Sequence, residues 1–308
     1  MKFSVIIPVY NKADTIRTSL ESVKSQTFQD FEIIVVNDGS NDNLQQVLAS
    51  FDNLVVINQE NSGVSAARNT GINNAKGEFL CFLDADDIYF PNHLEVLNEL
   101  IIKYSDCDFY CTSHIETFSD GRTKDSSSQL PKEIFVNSDF ICNNLFSIVN
   151  NYSDSIIHTN SFCIRKKLLK DNGIYFAIGE KLGEDTDLWY RVALRNKIVL
   201  SKTTTTRYQH EYSTATKNTS NPPDWAFAKR KDAILNDKNI SDDIKKDVLL
   251  LLDRYYLKCA RDRKVKGNFK QAITNLKKVN NRWSKRYLLS AIFCYLPWEI
   301  SKLFKKHI

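Results

Sequence analysis

No run of about 18 to 20 unbroken apolar residues occurs in the 308-residue chain, so it lacks the continuous segment that a membrane-crossing helix needs. The opening stretch, Met1-Lys2-Phe3-Ser4-Val5-Ile6-Ile7-Pro8, lacks the charged lead, long apolar block and small-residue cleavage site of a secretory signal, and reads as a strand. Cysteine is scarce and unpaired: seven residues, an odd number, with no Cys-x-x-Cys spacing. That excludes a disulfide scaffold and predicts reduced, buried thiols in a cytoplasmic protein. Neither Gly-x-Gly-x-x-Gly nor Gly-x-x-x-x-Gly-Lys-Ser/Thr follows any expected strand, which removes the dinucleotide-binding and P-loop readings. With 42% apolar and 26% charged residues, the chain is neither disordered nor collagen-like. Its length suits one large domain or two modest ones.

The net charge of +5 is unevenly spread. Residues 219–308 hold 21 Lys and Arg against 9 acids, while residues 1–218 hold 21 against 28. An acidic portion and a basic portion suggest two regions, 1–218 and 219–308, with different partners.

The first hundred residues alternate between two periods. Ser4–Tyr10, Glu32–Asn37, Leu54–Ile57 and Glu78–Leu83 are short apolar runs that predict strands. Between them, Ala13–Gln26, a stretch from the cap Asn41-Asp42-Asn43 to Ser50, and Ser62–Ala75 predict helices, with Ser62 as a cap. A further helix starts near Pro91. Such alternation implies a parallel sheet with right-handed crossovers. Beyond residue 104 the pattern loosens. Asp108–Phe118 reads as a strand, 124–129 as a polar loop, Glu184–Arg195 as a helix, Lys197–Tyr208 as extended and 218–224 as a linker. Ser241–Val265 and Asn268–Val279 are helical stretches parted by Gly267.

Ligands of parallel α/β sheets sit beyond the carboxyl ends of the strands. Three such ends carry polar loops: Pro8-Val9-Tyr10-Asn11, Asn37-Asp38-Gly39-Ser40 and Asp84-Ala85-Asp86-Asp87. Two carboxylates two positions apart suit a hard divalent cation with substrate phosphates, and equally suit a turn leading into the next helix. Taken alone, Asp38-Gly39 is an ordinary turn, Arg68 lies on a solvated helix face, and Glu184, Asp185 and Asp187 complement a helix dipole.

Together the motifs carry a resemblance. They are Val5–Asn11, Ser25-Gln26-Thr27, Glu32–Ser40, Asn61–Gly71, Phe82–Asp87, Gly183–Trp189 and Arg207-Tyr208-Gln209-His210, in order over about the first 215 residues. The chain resembles the family 2 inverting glycosyltransferases, which use nucleotide sugars and have the GT-A fold, a Rossmann-like, mostly parallel sheet flanked by helices. A helical C-terminal region would follow it. The resemblance implies that Pro8, Tyr10 and Asp38 hold the nucleoside, by ring stacking and by accepting the uracil N–H. It implies Arg68, Asp84 and Ala85 beside the donor, and Asp86, Asp84 and His210 as ligands of Mn²⁺ or Mg²⁺. It makes Asp185 the general base, with Glu184 beside it. The expected activity is hexosyl or N-acetylhexosaminyl transfer from a UDP-linked sugar to a glycan or lipid-linked acceptor of the cell envelope. The alternatives are a non-catalytic nucleotide-sugar or glycan-binding module on the same fold, and a nucleotidyltransferase, which would release pyrophosphate.

The segment 215–219 after His210 suits a lid or a plain surface loop. In the basic portion, the apolar stretch Tyr287–Leu296 is flanked by Arg282, Lys285 and Arg286, then Lys302, Lys305 and Lys306, with Trp283 and Trp298 outside its edges. It reads either as a peripheral membrane contact over 282–306, at the inner face of the membrane, or as a buried helix. No nucleic-acid motif accompanies the charge, so no nucleic-acid partner is expected.

Overall fold

Strand β1 (Phe3–Val9) is buried at every position, because it lies between two parallel neighbours, β2 (Phe31–Asn37) and β4 (Phe79–Phe82). A strand covered on both faces has no side on which a polar residue would meet water, hence its nearly unbroken apolar run. Pro8 sits within β1, past Ile6, the last β1 residue paired with β4. There its missing N–H removes no bond to β4. The computed structural model describes residues 1–135, 138–153, 156–180, 183–210 and 225–296.

The sheet runs β3-β2-β1-β4-β9-β6-β10-β5, with β7 on β6 and β8 on β10. The remaining strands are β3 (Leu54–Asn58), β5 (Ile88–Tyr89), β6 (Phe109–Thr117), β7 (Thr123–Asp125), β8 (Asp139–Cys142), β9 (Phe162–Arg165) and β10 (Ile198–Gln209). The expected parallel order holds across β3, β2, β1 and β4. Antiparallel pairing enters at β9, which joins β4 to β6, whereas β6 and β10 run parallel. The sheet is thus mixed in its second half, where β6, β7 and β8 follow one another with no α-helix between them.

Helices α1 (Ala13–Lys24), α2 (Leu44–Leu48), α3 (Val64–Asn74) and α4 (His93–Lys103) fall within the stretches where helices were expected. Their caps differ from expectation. Asp42 reaches across to accept the backbone N–H of Ala13 at 2.9 Å, so it serves the start of α1 as well as its own loop. Ser62 does not cap α3; Gly63 precedes the helix with φ of +88°, and Asp38 accepts the N–H groups of Ser62 and Gly63 just ahead of it. The expected polar loop at 124–129 is the edge strand β7 followed by a 3-10 turn. Helices α5 (Leu145–Asn151) and α6 (Lys166–Asp171) precede and follow β9, and α7 (Glu184–Ala193) precedes β10. One apolar core joins β1, β2 and β4 to α1 and α4 through residues such as Ile7, Leu20, Val35, Phe79 and Leu97.

The chain divides into two units, one taking in β1 to β10 and residues 225–227, the other the helices from 228 onward. In the second unit are α8 (Lys231–Asn236), α9 (Asp242–Val265), α10 (Phe269–Lys278) and α11 (Lys285–Tyr295). Gly267 takes φ of +78° at the turn between α9 and α10, a conformation a side chain disfavours. Among the described residues no helix is long and apolar enough to cross a membrane. The 215–219 segment, the linker at 218–224 and the flanking positions Trp298, Lys302, Lys305 and Lys306 lie outside the described residues. All seven cysteines are buried and free.

Candidate active site

The carboxyl ends of β2, β1 and β4 are neighbours, so their three polar loops meet along one edge of the sheet. Side chains stitch the loops together. Ser40 accepts the N–H of Asn11 at 3.0 Å, and Asn11 accepts that of Asn41 at 2.9 Å. Asn11 takes a positive φ of +50° to make this turn. Tyr10, just past β1, is 48% exposed, which leaves its ring open to stacking.

Asp38 is almost wholly buried and already holds three donors. The N–H groups of Ser62 and Gly63 and the Gln59 side-chain amide all reach it at 2.8 Å. It therefore braces the start of α3 against the end of β2. Of the roughly four acceptor positions on a carboxylate, three are engaged.

Asp84, Ala85 and Asp86 follow β4 directly. Arg68, carried by α3 and only 3% exposed, donates to Asp84 Oδ1 at 2.7 Å and to Glu184 Oε1 at 3.0 Å. It thereby ties the strand-end acids to the start of α7. Its Nε has no hydrogen-bond partner, and the guanidinium lies over the Phe176 ring at 5.1 Å. Lys12, from the loop after β1, places Nζ 2.8 Å from Asp86 Oδ2. Asp87, fully buried, accepts from Asn160 Nδ2 at 2.9 Å and from the Gln209 N–H at 3.2 Å.

The charges of these acids are set by burial against their partners. Burial raises the Asp84 pKa, but Arg68 outweighs it and holds the carboxyl below its ordinary value. Asp86 is raised, first by burial and then by the neighbouring Asp84, with Lys12 opposing. Asp87 is pushed well up by burial and by both neighbouring carboxylates. Glu184 is raised by burial and by Asp185. Burial works against the Arg68 charge, yet Asp84, Glu184 and Asp185 raise its pKa above the ordinary value.

Helix α7 opens after Gly183, whose φ of +74° is left-handed and where a Cβ would come within 2.7 Å of the Trp225 ring. This tight entry sets Glu184 and Asp185 on the first turn. Asp187 does not join them, because it is fully buried and paired with Arg191 one turn on, at 2.8 Å. Asp185 Oδ2 accepts from the Thr159 hydroxyl at 3.2 Å, and Asp185 Oδ1 from the Thr186 N–H at 2.6 Å.

Of the expected donor and catalytic residues, Arg68, Asp84 and Glu184 share ion pairs, while Asp86 and Asp185 are reached through Lys12 and Thr159. His210 is not brought onto the Asp-x-Asp acids. Its Nε2 lies 2.9 Å from Glu116 Oε2, and its ring stacks on Phe118 with centroids 4.4 Å apart. The neighbouring Gln209 does reach the acids, its side-chain amide donating to the Asp86 carbonyl at 2.8 Å.

Sequence reasoning missed Lys12 and the triplet His158-Thr159-Asn160 ahead of β9. The triplet touches two acids of the region: His158 Nδ1 is 4.0 Å from Asp87, Thr159 bonds Asp185 and Asn160 bonds Asp87. Its only signal in the sequence is a polar run entering a short apolar strand. The His158 ring also lies against Tyr208, with centroids 4.3 Å apart.

Among the described residues no group of three or more His, Cys, Asp or Glu side chains is arranged to hold a metal ion. Asp84 and Asp86 do offer hard oxygen donors. One or two carboxylates suffice for Mg²⁺ or Mn²⁺ when substrate phosphates fill the rest of the shell. The residues fit such a cation only as a partial shell, with Arg68 and Lys12 already on the two acids.

The model of glycosyl transferase family 2 matches residues 4–172, more than half of the chain. Glycosyltransferase GlyA of Streptococcus pneumoniae is 42% identical over 107 residues, 33% of this chain and 15% of that protein. An uncharacterised glycosyltransferase of Rickettsia typhi is 34% identical over 193 residues, 61% of this chain and 57% of its own length. The chain thus spans less than two thirds of these relatives. Among solved structures, Staphylococcus aureus TarS 1–349 in complex with UDP-GlcNAc superposes with a TM-score of 0.70 at 24% identity, over 95% of this chain and 87% of that one. That likeness establishes the shared GT-A fold. With its family model matched from the first strand through the Asp-x-Asp loop to the end of α6, the chain belongs to glycosyl transferase family 2.

Proposed function

We propose that this chain transfers a sugar from a UDP-linked donor to a hydroxyl of a glycan or lipid-linked acceptor, with inversion at the anomeric carbon. The observation that carries the reading is the Arg68 fork, which joins Asp84 at the donor end of the sheet to Glu184, the neighbour of Asp185. It keeps the residues for the leaving group and for the incoming hydroxyl in one frame. The UDP-GlcNAc bound by TarS supports a nucleotide-sugar donor of this class.

Tyr10 stacks on the base, and the stitched loops after β1 and β2 shape its pocket. Asp185, oriented by Thr159 and Thr186, accepts the proton of the acceptor hydroxyl. The acceptor oxygen then bonds to the anomeric carbon on the face opposite the diphosphate, as the bond to the diphosphate oxygen breaks. Mn²⁺ or Mg²⁺, held by Asp86 and Asp84 with phosphate oxygens, would neutralise the negative charge on the departing diphosphate. Lys12 and Arg68 supply fixed positive charge to the same end of the site.

The test is a UDP-release assay on the purified chain with a panel of nucleotide sugars, with Mn²⁺ and with EDTA. Release of UDP from one donor in Mn²⁺, abolished in EDTA and in Asp86→Asn, supports the reading. Pyrophosphate as product, or donor binding without turnover, contradicts it.

A further inference from the structure

We infer that α11 and the residue pair leading into it form a surface that binds a bilayer carrying anionic headgroups. Three observations converge. First, α11 has two opposed faces. Ser290, Phe293 and Cys294 are buried, and the helix packs against α9 and α10. Leu288, Ile292 and Tyr295 recur at i, i+4 and i+7 and so line the other side. They are 46%, 47% and 63% exposed. Second, Trp283, immediately before the capping residue Ser284, is 89% exposed. A tryptophan almost wholly in water loses the burial that normally stabilises so large a ring, and its amphipathic indole suits a headgroup boundary. Third, the charge is of one sign. Residues 254–296 hold twelve Lys and Arg, of which Arg263 and Lys264 are buried, against a single acid, Asp262. Arg282, Lys285 and Arg286, all exposed, stand beside Trp283 and on the first turn of the helix.

An apolar stripe with an indole at its start and cations around it matches the interface of an anionic membrane, where acyl chains take the stripe and headgroups take the cations. An apolar protein partner would account for the stripe alone. The surrounding positive charge complements phosphate headgroups and would repel a second copy of the same surface.

The experiment is vesicle flotation of the full chain. Vesicles of 70% phosphatidylcholine and 30% phosphatidylglycerol are compared with pure phosphatidylcholine, at low and at 0.5 M salt. The expected result is binding to the anionic vesicles at least tenfold stronger than to the neutral ones, and weakened by salt. Trp283→Ser, and separately Leu288→Ser with Ile292→Ser, should each reduce that binding about tenfold. Because these side chains are exposed, far-UV circular dichroism should be unchanged. Lack of binding by the parent chain, equal binding to both vesicle types, or full binding by both variants overturns the inference. So does light scattering that finds an oligomer in the parent and a monomer in the double variant, since the stripe would then join two copies. None of these readouts depends on sugar transfer.

Discussion

The Lys12 ammonium sits 2.8 Å from Asp86 Oδ2, so the second acid of the Asp-x-Asp step is paired with a cation from the loop after β1. If Asp86 is a metal ligand, Mn²⁺ has to compete with that ammonium. Lys12→Met should then tighten Mn²⁺ binding several-fold, read by electron paramagnetic resonance on the chain without donor. Unchanged affinity would count against Asp86 as a ligand.

Arg68 satisfies two carboxylates from a buried position. Its replacement by Ala strands Asp84 and Glu184 beside each other and beside Asp185. Loss of one partner of a buried ion pair costs about 3 kcal/mol. A drop of that size in urea-unfolding free energy is expected for Arg68→Ala. Arg68→Lys should fall between, since it restores charge without the fork.

Thr159 bonds the proposed base directly. A hydrogen bond of this kind contributes about 1 kcal/mol, so Thr159→Val should lower kcat roughly fivefold to tenfold while leaving the KM for donor unchanged. Thr159→Ser should recover most of the loss. A rise in donor KM at unchanged kcat would place Thr159 in donor binding instead.

Two buried histidines make stability depend on pH. Burial lowers the His93 pKa from 6.5 to about 3, and burial together with His158 and Lys124 lowers His114 to about 3. His93 is held neutral with Nδ1 2.7 Å from Thr205 Oγ1. Between these values the unfolded chain binds a proton that the folded chain does not. The stability is therefore fully present above 6.5 and declines as pH falls towards 3, by up to about 1.4 kcal/mol per pH unit for each histidine. Urea unfolding at pH 7.5, 6 and 5 should show that decline, and His93→Gln should reduce its slope by about half.

Strands β1 to β4 were legible because each is a short apolar run, as in Ser4–Tyr10 and Glu78–Leu83. Strand β7, Thr-Lys-Asp, has none; pairing with β6 makes it a strand, and its first two side chains are exposed. Strand β5, only two residues long, exists through its pairing with Thr206 and Arg207 on β10. The Asp-x-Asp loop and the Glu184-Asp185 pair could be picked out from their motifs. Lys12 could not, since its partner is 74 positions away. His210 was visible from its motif position, but its pairing with Glu116, 94 positions away, was not.

The most direct test of the account is turnover by Asp185→Asn. The amide cannot accept the hydroxyl proton, yet it keeps the size of the side chain and its place on α7. The account predicts a fall in kcat of at least about a hundredfold, the usual scale for a lost general base, with donor binding unchanged by calorimetry. Sugar transfer at the parental rate would contradict it.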